Sequence, residues 1–181
     1  MDKDVEIAMV RDCQNGDQKA MNTLVRQMQT PVFNAAYRML GNTDEAADVT
    51  QTTFLKVFEN IQRFDPTRRL FSWIYRIALN ESIDQLKLRK RTELLEDTPA
   101  SDTESPQEMA AASQLSNEVQ KTLMELKDEH RAVIVLRYFA DCSYQEIGRV
   151  LELPEKTVKS RLFTARQQMK IKLQQQMVSY L

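Results

Sequence analysis

The densest chemistry in this 181-residue chain lies between residues 155 and 172, where six basic side chains stand against one acid. Lys156, Lys159, Arg161 and Arg166 are interleaved with Thr157, Ser160 and Thr164, while Val158, Leu162, Ala165 and Met169 recur at helical spacing. If the apolar set faces inward, the cations and hydroxyls share the outer face of one helix. Arginine and lysine can pair with guanine edges in a major groove, and serine and threonine can hold phosphates. The same pattern also fits an amphipathic helix with a solvated basic face, or a hairpin that binds only protein. Upstream, Ser143-Tyr144-Gln145-Glu146 has the S-x-x-E form of a capping box. It opens a short helix with Ile147, Val150 and Leu151 inward. Glu152-Leu153-Pro154 is a tight connection, and Pro154 begins the second helix. This is the sequence form of a helix-turn-helix.

Other reactive side chains are sparse. Cys13 and Cys142 are far apart, no CxxC or Cys/His grouping exists, and His130 is the only histidine. A zinc site or a Cys–His nucleophile is therefore not expected. No phosphate-binding glycine loop is present either. The sequence predicts neither enzymatic chemistry, nor a metal, nor a cofactor. Two unpatterned cysteines fit a reducing cytoplasm. Residues 1–6 are too charged to open a signal peptide, and no run approaches the ~20 apolar residues that span a bilayer. The expected location is cytoplasmic, without membrane insertion.

The elements that must carry these residues are helices. Only three glycines and five prolines are present, too few for the turns of a sheet protein. The net charge of -1 conceals an uneven distribution. Between Thr92 and Glu118 there are seven acids and no Lys or Arg; the rest of the chain holds 25 basic and 19 acidic residues. An acidic middle between two mildly basic parts predicts two domains, each with a modest core, joined by a flexible linker.

Hydrophobic periodicity places a short helix over residues 4–14 and another after Asp17, carrying Ala20, Met21, Leu24, Val25 and Met28. Pro31 reads as the start of a further helix with Val32, Ala35, Ala36, Met39 and Leu40 on one stripe, closed by Gly41. A long helix is predicted over 43–63, a loop over 64–69 and a helix over 70–91 ending in Lys87, Arg89, Lys90 and Arg91. Residues 92–105 read as linker, and Ser105-Pro106 as a helix start. A strongly apolar helix over 128–140 precedes the helix-turn-helix.

Two blocks carry a family resemblance. Residues 126–139, Ser143-Tyr144-Gln145-Glu146-Ile147 and Thr157-Val158-Lys159-Ser160-Arg161-Leu162 resemble region 4 of extracytoplasmic-function RNA polymerase sigma factors. Arg38-Met39-Leu40-Gly41-Asn42, residues 48–57 and residues 73–80 resemble their region 2. Order and spacing match over nearly the whole chain except the linker. Thr52 departs from the family's usual Glu, and Glu152 and Lys156 stand at turn positions often held by Gly.

The resemblance implies an all-α protein of two small helical domains: region 2 over 1–91, an acidic linker over 92–114 and region 4 over 115–181. It implies an alternative sigma factor that binds core RNA polymerase and directs initiation at promoter DNA with specific −35 and −10 elements, under control of an anti-sigma factor. Asp48, Gln51, Phe54, Leu55 and Lys56 would dock on the polymerase β′ clamp helices; Phe54 suits a core position equally well. Phe64, Arg69, Phe71, Trp73, Arg76, Asn80 and Asp84 would serve the −10 element, with a flipped base held by aromatic walls and polar edges. Trp73 and Ile77 also suit core packing. Arg68, Arg69, Lys87 and Arg89 would hold phosphates. Lys156, Thr157, Lys159, Ser160, Arg161, Thr164 and Arg166 would read the −35 element. The β flap would meet apolar surface near residues 126–138. The acidic linker would lie along the polymerase channel, its charge imitating RNA, or else simply be solvated.

Two other readings stand beside this one. A stand-alone helix-turn-helix regulator accounts for residues 143–172 but leaves the N-terminal block unexplained. A helical adaptor that binds only protein predicts no promoter-dependent transcription.

Overall fold

The computed structural model describes residues 3–96 and 112–178. Eight α-helices and no strand occur among the described residues: α1 (Lys3–Gln14), α2 (Gln18–Leu40), α3 (Thr43–Asn60), α4 (Leu70–Glu96), α5 (Ala112–Met124), α6 (Asp128–Ile134), α7 (Tyr144–Leu151) and α8 (Glu155–Val178). A single 3-10 turn, Ile61–Arg63, follows α3.

Local chemistry sets most helix ends. Asp17 accepts from the backbone of Lys19 and Ala20 at the start of α2, and Asn42 does the same for Asp44 and Glu45 at the start of α3. Gly41 closes α2 with φ +71°, a left-handed turn that a residue without Cβ enters freely. Its lack of a side chain is used twice, because a Cβ there would come within 2.9 Å of Met124 Sδ on α5. The buried Glu6 of α1 accepts from Leu70 N, supplying negative charge to the N-terminus of α4. Gln14 Nε2 donates to the carbonyls of Ile61 and Phe64, both at 2.8 Å, and so ties down the turn that leads into residues 64–69.

Four sequence expectations need correction. Pro31 does not begin a helix but lies inside α2. A proline in a helix interior costs about 3 kcal/mol. Leu24, Val32, Ala36 and Met39 form one buried stripe in phase across it, and their burial against α3 and α4 offsets that cost. The helix expected over 43–63 tightens to a 3-10 turn after Asn60. The helix expected to end at Arg91 continues to Glu96, into the segment read as linker. The helix over 128–140 changes pitch at Val135: Val135–Phe139 forms a π turn in which Ala140 N donates to Val135 O at 3.1 Å. The rest of the linker and the Ser105-Pro106 helix start fall on residues 97–111, outside the described residues.

The N-terminal half packs α2, α3 and α4 pairwise, with α1 across one end. One core, with Val10, Leu24, Val57, Ile61, Leu70 and Ile74, belongs to this half alone. The second core is shared. Met39, Leu40, Tyr75 and Leu79 join Leu123, Val133, Leu136, Ile147 and Leu162 in one buried cluster. The two halves therefore pack against each other through apolar surface, the C-terminal half completing its core with residues of the N-terminal one.

Candidate nucleic-acid interface

The helix-turn-helix is built as its sequence indicates. Ser143 accepts from Glu146 N at 3.2 Å and Glu146 Oε2 accepts from Ser143 N at 2.9 Å, completing the capping box of α7. Burial would raise the Glu146 carboxyl, but the Ser143 bonds, with Arg69 and Arg149 nearby, hold it below the usual range. Glu152 ends α7 in a left-handed conformation, φ +54°. A Cβ on Gly148 would stand 2.7 Å from Leu153 O, so the turn leaves no room for a side chain there.

Helix α8 buries Val158, Leu162 and Ala165 as expected. Lys156, Lys159, Ser160, Thr164 and Arg166 are exposed, and Thr157 is half-buried. Lys159 pairs with Glu155 at 2.8 Å. Arg161 differs from expectation: it is turned toward α6, where its guanidinium meets Glu129 at 3.0 Å. Phe163, 62% exposed, shares the outer face with Lys156 and Ser160. The sequence reading missed it because an isolated phenylalanine in an amphipathic helix reads as core.

A second surface is a cleft of about 930 Å³ between α4, the loop 64–69 and α7. Phe64 stacks on Trp73 with ring centroids 4.6 Å apart. Arg63, Arg68, Arg76 and Lys56 line one side and Arg149 the other. The loop holds its shape through Asp65, which accepts from Thr67 N and Oγ1 at 2.9 and 2.8 Å. Those two bonds hold the Asp65 carboxyl below its ordinary pKa. Ser72 Oγ at the cleft wall is buried without a hydrogen-bond partner in the protein.

Of the seven residues expected at a −10 site, Phe64, Trp73 and Arg76 converge on this cleft. Arg69 stands beside it, facing Glu6 and Glu146. Phe71 instead packs edge-on against Tyr75 at 5.3 Å. Asn80 and Asp84 lie further along α4, exposed, and Asp84 pairs with Lys87 at 2.9 Å. Arg63, Arg149 and Glu152 were not foreseen at the cleft; Arg149 of α7 and Glu152, which caps it, come from far away in sequence.

A third surface is an apolar groove of about 520 Å³ between α2 and α3. Gln51, Phe54 and Leu55 line it, with Val25, Phe33 and Phe58. Leu55 is 56% exposed, whereas Phe54 is only 7% exposed and forms the floor. Asp48 is exposed outside the groove lining. Lys56 points away, to Glu81 at 2.5 Å and to the cleft. Around residues 126–138 the apolar side chains are mostly core: Leu126 and Val133 to Leu136 are buried, and Tyr138 and Phe139 alone are exposed.

Both halves of the chain match known families. The family model of Sigma-70 region 2 matches residues 24–92 and that of Sigma-70 region 4 matches residues 116–169. The ECF RNA polymerase sigma factor SigW of Bacillus subtilis is 33% identical over 177 residues, covering 91% of this chain and 94% of that one. The chain belongs to the extracytoplasmic-function sigma factors. SigE of Mycolicibacterium smegmatis, another ECF RNA polymerase sigma factor, is 38% identical over 164 residues, covering 86% of this chain and 63% of that one. Among solved structures, CnrH in complex with the cytosolic domain of CnrY superposes with a TM-score of 0.75 at 26% identity, covering 93% of this chain and 97% of that chain. The sigma factor RpoE of Bartonella quintana, solved with the anti-sigma factor NepR, has the same fold, with a TM-score of 0.76 at 22% identity over 86% of this chain and 98% of that one.

As a sigma factor the protein is a transcription initiation factor. Cys13 and Cys142 are free and buried. Burial, helped by Glu146 and Asp141, pushes the Cys142 thiol up to about 12. His130 is engaged with Gln168 at 3.1 Å. Among the described residues no group of metal-binding side chains occurs, and no helix is long and apolar enough to cross a membrane.

Proposed function

We propose that this sigma factor divides its work among the three surfaces: groove for core polymerase, cleft for the −10 element, α8 for the −35 element. The observation that supports this most is their separation. An apolar groove, an arginine-lined aromatic cleft and a basic reader helix occupy different faces of one fold.

The groove suits one amphipathic helix. Leu55 and Phe33 offer apolar walls over the Phe54 floor, and Gln51 sits at the edge. The β′ clamp helices of core polymerase are the assigned occupant, and an anti-sigma factor would control the chain by taking such a surface. Of the β-flap contact, Tyr138 and Phe139 are the side chains available. In the cleft, the Phe64–Trp73 stack can receive a flipped base, Ser72 Oγ can bond its edge, and Arg63, Arg68 and Arg76 can hold flanking phosphates.

On α8, Lys156, Lys159 and Ser160 at the N-terminal end face base edges, as the second helix of this motif docks. Thr157, Thr164 and Arg166 serve phosphates, and Arg161 serves a base once released from Glu129. Phe163 can meet a thymine methyl. Residues 1–91 act as region 2, 92–114 as linker and 115–181 as region 4, in the cytoplasm and without enzymatic activity. In vitro transcription with core polymerase and a genomic template library tests the whole reading. Discrete start sites with a shared −35 and −10 pattern support it; transcription no higher than core alone rejects it.

A further inference from the structure

Helix α1 lies ahead of the residues that match region 2, and it holds both ends of the loop 64–69. At the entry, Gln14 Nε2 donates to the carbonyls of Ile61 and Phe64, both at 2.8 Å, and Gln62 Nε2 donates back to Gln14 O at 2.5 Å. One amide therefore bridges the turn before the loop and the loop's first residue. At the exit, Glu6 accepts from Leu70 N, the first residue of α4, and its second oxygen stands 3.8 Å from Arg69 Nε. Glu6 is 4% exposed. A carboxylate is costly to bury without partners, and both of its partners belong to the end of this loop. Glu6, Val10 and Cys13 form one buried stripe of α1, and Val10 and Cys13 pack in the core that holds Ile61, Phe64, Leu70 and Ile74. Between its two ends the loop shapes itself through Asp65 and Thr67.

We propose that α1 is a positioning clamp for the −10 loop: Gln14 and Glu6 fix its two ends, so that Phe64, Arg68 and Arg69 stand in place before a promoter base is flipped out. The proposal rests on the −10 assignment above and adds to it two positioning residues that touch no DNA. A loop that must be ordered at the moment of capture loses binding energy to conformational entropy, whereas a held loop does not. If the ends wander, the capturing geometry is present for only a fraction of the time, and apparent affinity for the base falls by that fraction. The two tethers govern different groups. Gln14 governs Phe64, since it holds that residue's carbonyl and the Phe64 ring stacks on Trp73 at 4.6 Å. Glu6 governs Arg69 and the first turn of α4, which carries Trp73. Neither Gln14 nor Glu6 lines the cleft, so their effect reaches DNA through the loop.

The test uses the full chain in holoenzyme at saturating core polymerase, with promoter melting read by permanganate reactivity of −10 thymines. Gln14→Met keeps the length of the side chain and removes the donor; Glu6→Leu keeps most of the bulk and removes the acceptor. Each should slow melting by about three- to tenfold. Each should also flatten base preference in a randomised −10 library, while core affinity and −35 preference change by less than about twofold. Glu6→Gln keeps an acceptor for Leu70 N and should stay within about twofold of the parent; a fall as deep as that of Glu6→Leu removes Glu6 from the clamp. Val32→Ala opens a cavity in the same core from α2. It should lower Tm and leave the melting rate and −10 preference unaltered at temperatures where the chain stays folded. If the α1 variants match Val32→Ala in every readout at equal loss of Tm, α1 is only a structural helix and the clamp is rejected. Arg68→Gln with Arg76→Gln checks the assignment underneath. Unchanged melting and −10 preference in that variant mean that the −10 reading fails, and the clamp with it. If both fall there while the α1 variants track Val32→Ala, the clamp alone fails.

Discussion

Arg131 Nη1 donates to the Met39 carbonyl at 2.6 Å, so a side chain on α6 closes the end of α2 in the other half of the molecule. The same guanidinium gives Nε to Leu123 O at 2.8 Å and Nη2 to Met124 O and Leu126 O at 2.7 and 3.0 Å. Helix C-termini leave carbonyls without partners. Here one planar fork satisfies the ends of two helices at once. Burial presses the Arg131 pKa below the ordinary arginine value, opposed by Asp128 at 3.8 Å.

Arg131→Met should therefore destabilise the fold by about 3–5 kcal/mol, since four carbonyls, three of them buried, lose their donor. Arg131→Lys should recover only part, because an ammonium cannot span both helix ends. Urea denaturation followed by circular dichroism measures both. A loss below about 1 kcal/mol for the methionine variant would show that the carbonyls find other partners.

Core docking can be tested without damaging the fold by choosing the exposed residues of the groove. Gln51→Ala with Leu55→Asp places a charge in an apolar seat and should weaken core polymerase binding by about tenfold or more, with an unchanged melting curve. Phe54→Ala is unsuitable, as it opens a cavity under a residue 7% exposed and should cost about 3–5 kcal/mol of stability. Normal core affinity in a pull-down of the Gln51/Leu55 variant would remove the groove from the docking assignment.

What could be read from the sequence was what local chemistry decides. The Ser143–Glu146 box, the helix start after Asp17 and the Gly41 stop depend on neighbours within a few residues, and each is found in the fold. The buried stripe of α8 was equally legible, because Val158, Leu162 and Ala165 repeat at helical period. Pro31 misled because a breaker was weighed without the stripe that runs in phase through it. Arg131 was invisible: its partners are main-chain carbonyls, which carry no residue signature. The pairing of Arg76 with Glu152 was out of reach for the same reason that the shared core was, since nothing local says which face of one half meets the other. The resemblance did flag Glu152 as standing where a glycine is common, and its left-handed backbone is the physical content of that departure.

Alkaline pH should loosen the seam between the halves. The Cys142 thiol ionises near 9 when exposed and is pushed up to about 12 in the fold. The Tyr75 phenol, ordinarily near 10, is also pushed up to about 12, by burial first and then by Cys142. Raised pKa values leave stability intact below the unfolded values, so these two groups add no pH dependence below about pH 9. Stability should fall as pH climbs from 9 toward 12, by at most about 1.4 kcal/mol per pH unit for each group. Cys142→Ala should remove the thiol's share and flatten the decline. Identical pH profiles for the two proteins would show that the thiol does not resist ionisation in the fold.

The proposed −35 assignment of α8 allows the sharpest separation between base contacts and phosphate contacts. Lys156, Ser160 and Phe163 share one exposed face near the start of α8, while Lys170 lies more than two turns beyond Ser160. Groove-facing residues at the N-terminal end discriminate sequence; distant cations add affinity without preference. Phe163→Ala removes an exposed ring, so it should leave stability within about 0.5 kcal/mol. It should relax preference at one −35 position where a thymine methyl is favoured. Lys170→Ala should lower transcription from all sequences by a similar factor and reduce its salt dependence. Arg161→Ala lies between these cases. Its guanidinium is held by Glu129 in the free chain, so loss of preference at a guanine, roughly 1–3 kcal/mol, requires that DNA draw it away. Glu129→Gln should then strengthen the guanine preference by releasing the arginine in advance. Transcription with core enzyme over a randomised −35 library reads all four variants together. If Arg161→Ala and Lys170→Ala scale every sequence alike and Glu129→Gln changes nothing, Arg161 is a surface cation held by Glu129 and the base-reading face is Lys156, Ser160 and Phe163 alone.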